Sequence, residues 1–152
     1  MNLDRKDLNI LNLLQEDCTI SLQSLSKEVG LTQTPCYERI KKMQKSGVIV
    51  RYSAIVSSDL FGFKHHAVLR VQASDQSSLK DLALFESFVV ENKAVVKVLK
   101  ISSKFNYVIN YRYKEIDEFF KFVGTINKQT IICDSEIVMV LKTLKDEKGL
   151  FF

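Results

Sequence analysis

The sequence has few of the residues that mark non-globular chains. Five glycines and one proline among 152 residues exclude collagen-like and low-complexity proteins. No uninterrupted apolar run approaches the ~18 residues that a membrane-spanning helix needs. The charged start of the chain also lacks the apolar segment of an export signal. Length and composition therefore predict one large domain or two small ones, cytoplasmic and without a membrane partner.

Cysteine and histidine are too few and too scattered for the common metal and disulfide frameworks. Cys18, Cys36 and Cys133 are odd in number and form no C-x-x-C pair, which suits a reducing compartment. His65 and His66 are neighbours on a predicted strand, so their side chains would point to opposite faces. The sequence has no Ser/His/Asp signature and no phosphate-binding glycine loop. It therefore predicts no metal site, no cofactor and no enzymatic activity.

Basic residues are concentrated in one segment. Residues 27–51 contain six basic and two acidic side chains, a net charge of +4 that equals the excess of the whole chain. The remaining residues balance sixteen basic against sixteen acidic side chains. Such a segment is typical of a surface that binds nucleic-acid phosphates, although a solvated helix face produces the same pattern.

The first fifty residues carry the start and stop signals of three short helices. Asp4 and Asp7 form a capping pair before the first helix. Ser21 begins the second helix, Gly30 ends it, and Thr32 caps the third. Two short helices joined by so tight a turn predict a helix-turn-helix. The β-rich residues 48–56 that follow predict a small wing.

The outward face of the predicted third helix has the composition of a DNA-reading surface. Short polar side chains near its N-terminus suit base edges in the major groove, and the cations that follow suit phosphates. The predicted base-reading residues are Thr32, Gln33, Thr34 and Tyr37. The predicted phosphate-contacting residues are Lys41, Lys42 and Arg51. Arg39 belongs to the same DNA-binding set, but its position beside Ile40 also predicts a salt bridge that orients the helix.

A run of residues over the first ~55 positions carries a family resemblance. It comprises Leu3-Asp4, Asp7, Ile10-Leu11, Leu14-Gln15, Asp17, Leu25-Ser26, Val29-Gly30-Leu31-Thr32, Thr34-Pro35-Cys36, Glu38-Arg39-Ile40, Met43 and Gly47-Val48-Ile49. In these residues the chain resembles the Lrp/AsnC family, the leucine-responsive and asparagine-responsive transcription regulators of bacteria and archaea. The resemblance implies a regulator that binds double-stranded DNA in a sequence-specific way.

The second half predicts strands that alternate with longer helices. Strands are predicted at 65–73, 94–102, 105–113 and 131–143, and helices at 77–91 and 115–128. This β-α-β-β-α-β order is that of a ferredoxin-like unit, one antiparallel sheet with both helices on one face. Ile116, Phe119, Phe120 and Val123 have helical spacing and predict the inner face of the second of these helices.

The sequence thus predicts an α+β protein. A winged helix-turn-helix domain occupies 1–56, a linker 57–64, and a ferredoxin-like effector-binding and oligomerisation domain 65–152. The resemblance implies that the last is the RAM domain, which regulates amino-acid metabolism and through which family members form dimers and often octamers. The uncovered face of the sheet separately favours a second copy of the chain as its partner.

The resemblance also implies an effector site that this chain has altered. At the edge of the small-molecule pocket, the family usually carries Gly-Asp-x-Asp-Tyr. The aligned residues here are Ser103, Lys104, Phe105, Asn106 and Tyr107, so only the tyrosine is kept. The implied site for an amino-acid-like effector comprises Ser103, Lys104, Asn106 and Ser135. Lys104 repels a ligand ammonium group, which predicts either an empty pocket or a ligand with an extra carboxylate.

Two binding alternatives from other classes remain open at this point. The β-α-β-β-α-β order is also that of an RNA recognition motif, in which aromatic residues on the third strand stack on bases. Phe105, Tyr107, Tyr111 and Tyr113 alternate along that predicted strand, but they also suit packing under the helices or between subunits. The other alternative is a protein–protein adaptor with a vestigial helix-turn-helix.

Overall fold

The structure, a computed structural model, describes residues 2–145. These residues form two compact units, a first of residues 2–55 together with Lys145 and a second of Val56–Leu144. The predicted N-terminal domain begins at residue 1 and the predicted C-terminal domain ends at residue 152. Residues 1 and 146–152 lie outside the described part of the chain. The segment predicted as a linker contains a short 3₁₀ helix, Asp59–Phe61.

The first unit contains three helices, as predicted. They are α1 at Arg5–Glu16, α2 at Leu22–Val29 and α3 at Gln33–Lys45. Asp4 and Asp7 form the predicted capping box, and Ser21 caps α2 by accepting a hydrogen bond from the backbone N–H of Ser24. The side chains buried between the helices are Ile10, Leu11, Leu25, Val29, Cys36 and Met43. Their helical spacing explains why these three short segments pack as one core.

Gly30 makes the tight turn of the helix-turn-helix possible. Its φ of 68° lies in the left-handed region, which side chains with a Cβ rarely adopt. The N–H of Leu31 bonds to the carbonyl of Ser26 at 2.8 Å, and the N–H of Gly30 bonds to that of Lys27 at 3.1 Å. This pattern closes the end of α2, so that α3 begins after only Leu31 and Thr32.

The strand predicted for the wing is not formed. Within residues 48–57 the structure has no strand, and Val50 and Ile55 are exposed. The N–H groups of Val48 and Ile49 instead donate to the carbonyl of Met43, at the end of α3. A strand needs a neighbouring segment for its backbone hydrogen bonds, and none is assigned in the first unit among the described residues. The β-rich composition of this segment therefore predicted a strand that the segment does not form.

The second unit has the predicted β-α-β-β-α-β order. Its elements are β1 at His65–Ala73, α4 at Leu79–Glu91, β2 at Val95–Lys100, β3 at Tyr107–Tyr113, α5 at Ile116–Asn127 and β4 at Ile132–Met139. The strands pair in the order β2-β3-β1-β4, and all neighbours are antiparallel. The ferredoxin-like prediction is confirmed, and the α+β fold class with it.

One face of this sheet and the two helices enclose the core of the second unit. Alternate residues of β1 and β3 are buried, and Tyr111 stacks on Phe122 with ring centroids 4.5 Å apart. The buried residues of α5 are Phe119, Phe122, Val123 and Ile126. The predicted inner face was wrong for Ile116 and Phe120, which are 42% and 53% exposed. Both sets have helical spacing, and packing against the sheet selected the one centred on Phe122.

The opposite face of the sheet is covered by neither helix. Because side chains alternate along a strand, the partly buried residues Val68 and Arg70 point away from the core. Val68 lies beside Val138 of β4, and Arg70 forms an ion pair with Glu136 at 2.7 Å. Val138 is 41% exposed. This face, called the open face below, combines apolar side chains with paired charges.

Candidate DNA interface

The outward face of α3 presents the polar residues that the sequence singled out. Thr32, Gln33, Thr34, Tyr37, Lys41 and Lys42 are all exposed, and so is Arg51 beyond the end of the helix. Cys36 and Met43 on the opposite side of α3 are fully buried, which fixes the direction in which this face points. The helix therefore carries short polar groups over its first turns and lysines farther along, the order that a major-groove reader needs.

Thr32 and Tyr37, two residues of this outward face, differ in the contacts that their side chains make with α3. Thr32 occupies the N-cap position, but its hydroxyl makes no capping hydrogen bond. Tyr37 is 49% exposed, and the ammonium of Lys41 lies 5.4 Å from its ring centroid. This cation–π contact between residues one turn apart holds the tyrosine against the helix surface.

Arg39 lies apart from this outward face. Its Nη1 contacts Oδ2 of Asp4 at 2.6 Å and Oδ1 of Asp7 at 2.7 Å. The backbone N–H of Asp7 and then the Arg39 guanidinium hold the pKa of the Asp4 carboxyl below its usual range. The same two carboxylates raise the pKa of Arg39, Asp7 more than Asp4. These contacts form the predicted orienting salt bridge. They hold the Arg39 side chain against α1, apart from the other residues of the predicted DNA-binding set.

Lys6 was not singled out from the sequence. Its Nζ donates hydrogen bonds to the carbonyl oxygens of Gly30 at 2.7 Å and Val29 at 3.2 Å. Both carbonyls lie at the C-terminal end of α2, where the last backbone acceptors of a helix have no intrahelical donors. Because Lys6 and its acceptors are more than twenty positions apart, no sequence pattern could have indicated the contact.

Three of the four residues of the predicted effector site make contacts within the chain. Lys104 forms an ion pair with Asp134 at 2.9 Å, and this contact lowers the pKa of the Asp134 carboxyl. Asn106 accepts a hydrogen bond from the N–H of Ala73 and donates one to its carbonyl. Ser135 donates to Oδ1 of Asn127 at 2.8 Å, and Ser103 is exposed.

The loop between β2 and β3 also contains an aromatic ring that contacts charged side chains. The ring of Phe105 contacts two cations, with Arg70 at 4.8 Å and Lys104 at 5.0 Å from its centroid. Each cation also has an acidic partner on β4, since Arg70 pairs with Glu136 and Lys104 with Asp134. The charge of Lys104, which the sequence predicted to repel a ligand ammonium group, is thus paired with Asp134 at 2.9 Å.

The three tyrosines of β3 do not form the base-stacking surface that the RNA-recognition alternative needs. Tyr107, Tyr111 and Tyr113 on β3 are at most 6% exposed and lie on the helix-covered face of the sheet. Tyr113 stacks on Phe119, with ring centroids 5.1 Å apart. Base stacking needs aromatic rings on the open face, whereas these rings fill the core.

Within residues 2–145, no helix has the length and apolarity to cross a membrane. In the same part of the chain, no cluster of three or more histidine, cysteine or acidic side chains is placed to hold a metal ion.

Comparison with known proteins connects this architecture to regulators of transcription. A family described as winged helix-turn-helix DNA-binding matches residues 3–50. The leucine-responsive regulatory protein of Haemophilus influenzae is 32% identical, over 97% of this chain and 89% of the relative. An AsnC family transcriptional regulator from Agrobacterium tumefaciens has a TM-score of 0.90 at 29% identity, over 97% of this chain and 96% of that one. A transcriptional regulator from Neisseria meningitidis, solved as an L-Met complex, has a TM-score of 0.91 at 25% identity, over 98% and 96%.

Proposed function

Because the chain belongs to the Lrp/AsnC family of transcription regulators, it is a sequence-specific DNA-binding protein, and we propose that α3 is its recognition helix. In this proposal Thr32, Gln33, Thr34 and Tyr37 contact base edges. Lys41, Lys42 and Arg51 contact phosphates. The observation that carries the proposal is the exposed face of α3, with polar groups at its N-terminal end and lysines after them.

The relatives are regulators of transcription, which leaves the adaptor alternative without support. We propose that the protein acts in the cytoplasm without catalysing a reaction. Its effect on a promoter then depends on where it binds and on what alters that binding.

Substitutions that remove the proposed base contacts test whether α3 is the recognition helix. A duplex selected from a random library by the unaltered protein serves as the probe, with a scrambled duplex of the same composition beside it. Gln33→Ala and Thr34→Ala should each weaken binding to the selected duplex by ~1–3 kcal/mol and relax the preference at one base position. Gln23→Ala, at an exposed position of α2, is the matched control. Unchanged affinity and preference in both α3 variants would contradict the assignment.

We also propose that two copies associate through the open face. That face exposes apolar side chains of β2 and β4 that neither helix covers, Leu99 and Val138 among them. A two-fold dimer would present two recognition helices about one DNA turn apart, or a multiple of it, and would read a pseudo-palindromic site. A solution mass equal to one chain at micromolar concentration, with binding to a single half-site, would contradict the dimer. Because the family resemblance implies octamers, we expect the dimers to assemble further, and the same mass measurement detects that assembly.

We infer that an effector of the amino-acid class acts on the second unit. The Neisseria meningitidis relative solved with L-Met supports this class of ligand. In this chain Lys104, in the loop proposed to bind it, forms an exposed ion pair with Asp134 of β4. Exposed pairs contribute only about 0–1 kcal/mol, so a ligand carboxylate can displace Asp134 from Lys104. A ligand with an extra carboxylate is therefore the favoured effector.

Calorimetry with methionine, leucine, asparagine, lysine, aspartate and glutamate tests the effector. Aspartate or glutamate should bind more tightly than the neutral amino acids, and Lys104→Ala should remove that preference. Lys80→Ala on α4 is the control for the loss of one exposed lysine. Submillimolar leucine or asparagine binding that persists in Lys104→Ala would show that the loop does not select ligands in this way.

A further inference from the structure

The first turn of α1 contacts both helices of the helix-turn-helix. Lys6 donates to the carbonyls of Val29 and Gly30 at the end of α2. The next residue, Asp7, accepts a hydrogen bond from Arg39 in the middle of α3. Two successive residues of one helix therefore contact the start of the turn and the helix that follows it.

We propose that Lys6 and Arg39 are positioning residues for DNA reading, which orient α3 through the first turn of α1 and do not contact DNA themselves. This inference rests on the role proposed above for α3. It adds a residue, Lys6, that lies outside the predicted DNA-contacting set, and it moves Arg39 from DNA contact to positioning.

The capping box gives the Arg39 guanidinium one well-defined place. Oδ1 of Asp4 accepts the backbone N–H groups of Lys6 and Asp7, at 2.8 and 2.9 Å. Oδ2 of Asp7 accepts the backbone N–H of Asp4 at 3.0 Å. The other oxygen of each carboxylate then meets the same nitrogen of Arg39. The capping hydrogen bonds at the start of α1 thus orient both carboxylates toward Arg39 of α3.

Burial makes this contact restrictive. The side chain of Asp7 is only 6% exposed, so its carboxylate has little access to water if Arg39 leaves. An ionised carboxylate that loses its charged partner at such a site is strongly destabilised. Rotation of α3 about its axis, or a shift along it, would separate Arg39 from Asp7. The ion pair therefore opposes displacements that would also move Gln33 and Thr34.

Lys6 acts at the other end of the turn. A cation at a helix C-terminus interacts favourably with the partial negative charge of the terminal carbonyls. The Gly30 carbonyl that Lys6 contacts at 2.7 Å comes two residues before Thr32, the N-cap of α3. Lys6 thereby restrains the backbone from which α3 starts, while Arg39 restrains the helix one turn beyond Pro35.

Loss of this restraint should affect base contacts more than phosphate contacts. Hydrogen bonds to base edges need donor–acceptor distances near 3 Å and weaken steeply when the geometry changes. A lysine contacts phosphate as a point charge on a flexible stem, so it tolerates small displacements. The expected signature is weaker binding to the selected duplex with nearly unchanged binding to a scrambled one.

The experiment measures affinity for the selected and the scrambled duplex across a range of salt concentrations. The positioning variants are Lys6→Met and Arg39→Met, which keep an unbranched apolar stem. Arg5→Met is the matched control, because it removes an exposed cation from the same turn of α1. Lys42→Met supplies the signature of a lost phosphate contact, a salt-dependence slope smaller by about 0.9.

Each positioning variant should lower the ratio of selected to scrambled affinity by about fivefold or more, the effect of losing about one base contact. The salt slope should match that of Arg5→Met. If Arg39→Met does not fold by circular dichroism, Arg39→Lys replaces it, and a smaller loss of the ratio in the same direction is expected.

If the unaltered protein selects a duplex, two results would overturn the proposal. One is an unchanged affinity ratio in Lys6→Met together with an unchanged ratio in the Arg39 variant. The other is a slope that falls in the Arg39 variant as it does in Lys42→Met, because this indicates a direct phosphate contact. If the unaltered protein selects no duplex at all, the recognition role of α3 fails, and the positioning role fails with it. Selection by the unaltered protein with unaffected variants overturns the positioning role alone.

Discussion

The hydroxyl of Tyr107 donates a hydrogen bond to Oε1 of Glu86 at 2.6 Å. This bond joins the start of β3 to α4, and Lys100 of β2 contacts the same carboxylate oxygen at 2.9 Å. Three elements therefore meet at one oxygen atom beside the loop proposed to bind the effector. Tyr107 is also the one residue of the family's loop motif that this chain keeps, and its ring is almost fully buried.

Removal of this hydroxyl should destabilise the second unit. Tyr107→Phe keeps the buried ring but deletes a hydrogen bond to a charged group, so it should cost about 1–2 kcal/mol of unfolding free energy. Tyr52→Phe, at an exposed position of the first unit, is the control. Urea unfolding followed by circular dichroism measures both. A change below 0.5 kcal/mol, on the order of an ordinary surface substitution, would contradict the role given to this bond.

The pH dependence of that contribution follows from Glu86. Tyr107 first, and then Lys100, lower the pKa of its carboxyl. A lowered pKa means that the folded state favours the ionised form, so the contribution is fully present above the usual glutamate pKa, about 4.3. It is lost as pH falls through the lower pKa of the folded state. Glu86→Gln should therefore flatten the decline in stability below about pH 4.3, and an identical decline in both proteins would contradict this sign.

Gly30 should not tolerate a side chain. Its φ of 68° is left-handed, so Gly30→Ala should cost about 1–2 kcal/mol of unfolding free energy from backbone strain. Gly124 lies within α5, and a Cβ added there meets no atom within 4 Å. Gly124→Ala should be neutral or stabilising by up to about 1 kcal/mol, because alanine favours the helix. Thermal unfolding should show a loss of stability in Gly30→Ala and none in Gly124→Ala, and equal losses would contradict the geometry described for the turn.

A pair of neighbouring phenylalanines tests the face that α5 buries. Phe119 is fully buried and Phe120 is 53% exposed. Phe119→Ala should cost about 3–5 kcal/mol, because it leaves a cavity between the helix and the sheet. Phe120→Ala should cost less than about 1 kcal/mol. Chemical denaturation decides the question, and equal losses in the two variants would restore the face predicted from the sequence.

Asn106 should contribute to stability through the backbone of β1. Its amide accepts from the N–H of Ala73 at 2.8 Å and donates to the Ala73 carbonyl at 3.2 Å. Asn106→Ala removes both bonds and should cost about 1–3 kcal/mol. Asn106→Asp returns the family's residue and keeps the acceptor, so its cost should be smaller at neutral pH. An aspartate variant less stable than the alanine variant would show that repulsion between its carboxylate and the Ala73 carbonyl outweighs the retained acceptor.

The sequence by itself determined the features that depend on near neighbours. Asp4 and Asp7 cap α1 because a capping box needs only residues three positions apart. Gly30 ends α2 because no other residue enters the left-handed region as readily. The strand and helix order of the second unit followed from apolar periodicity over short windows. Each signal is local, and the structure confirms all three.

The tertiary structure alone decided which distant residues meet. Nothing near Lys6 in the chain indicates Gly30 as its partner, and nothing near Lys104 indicates Asp134. In α5 two sets of apolar residues have equally good helical spacing, and only the contact with the sheet selects Phe122 over Phe120. The β-rich segment after α3 forms no strand, because a strand also requires a partner, which β propensity cannot supply.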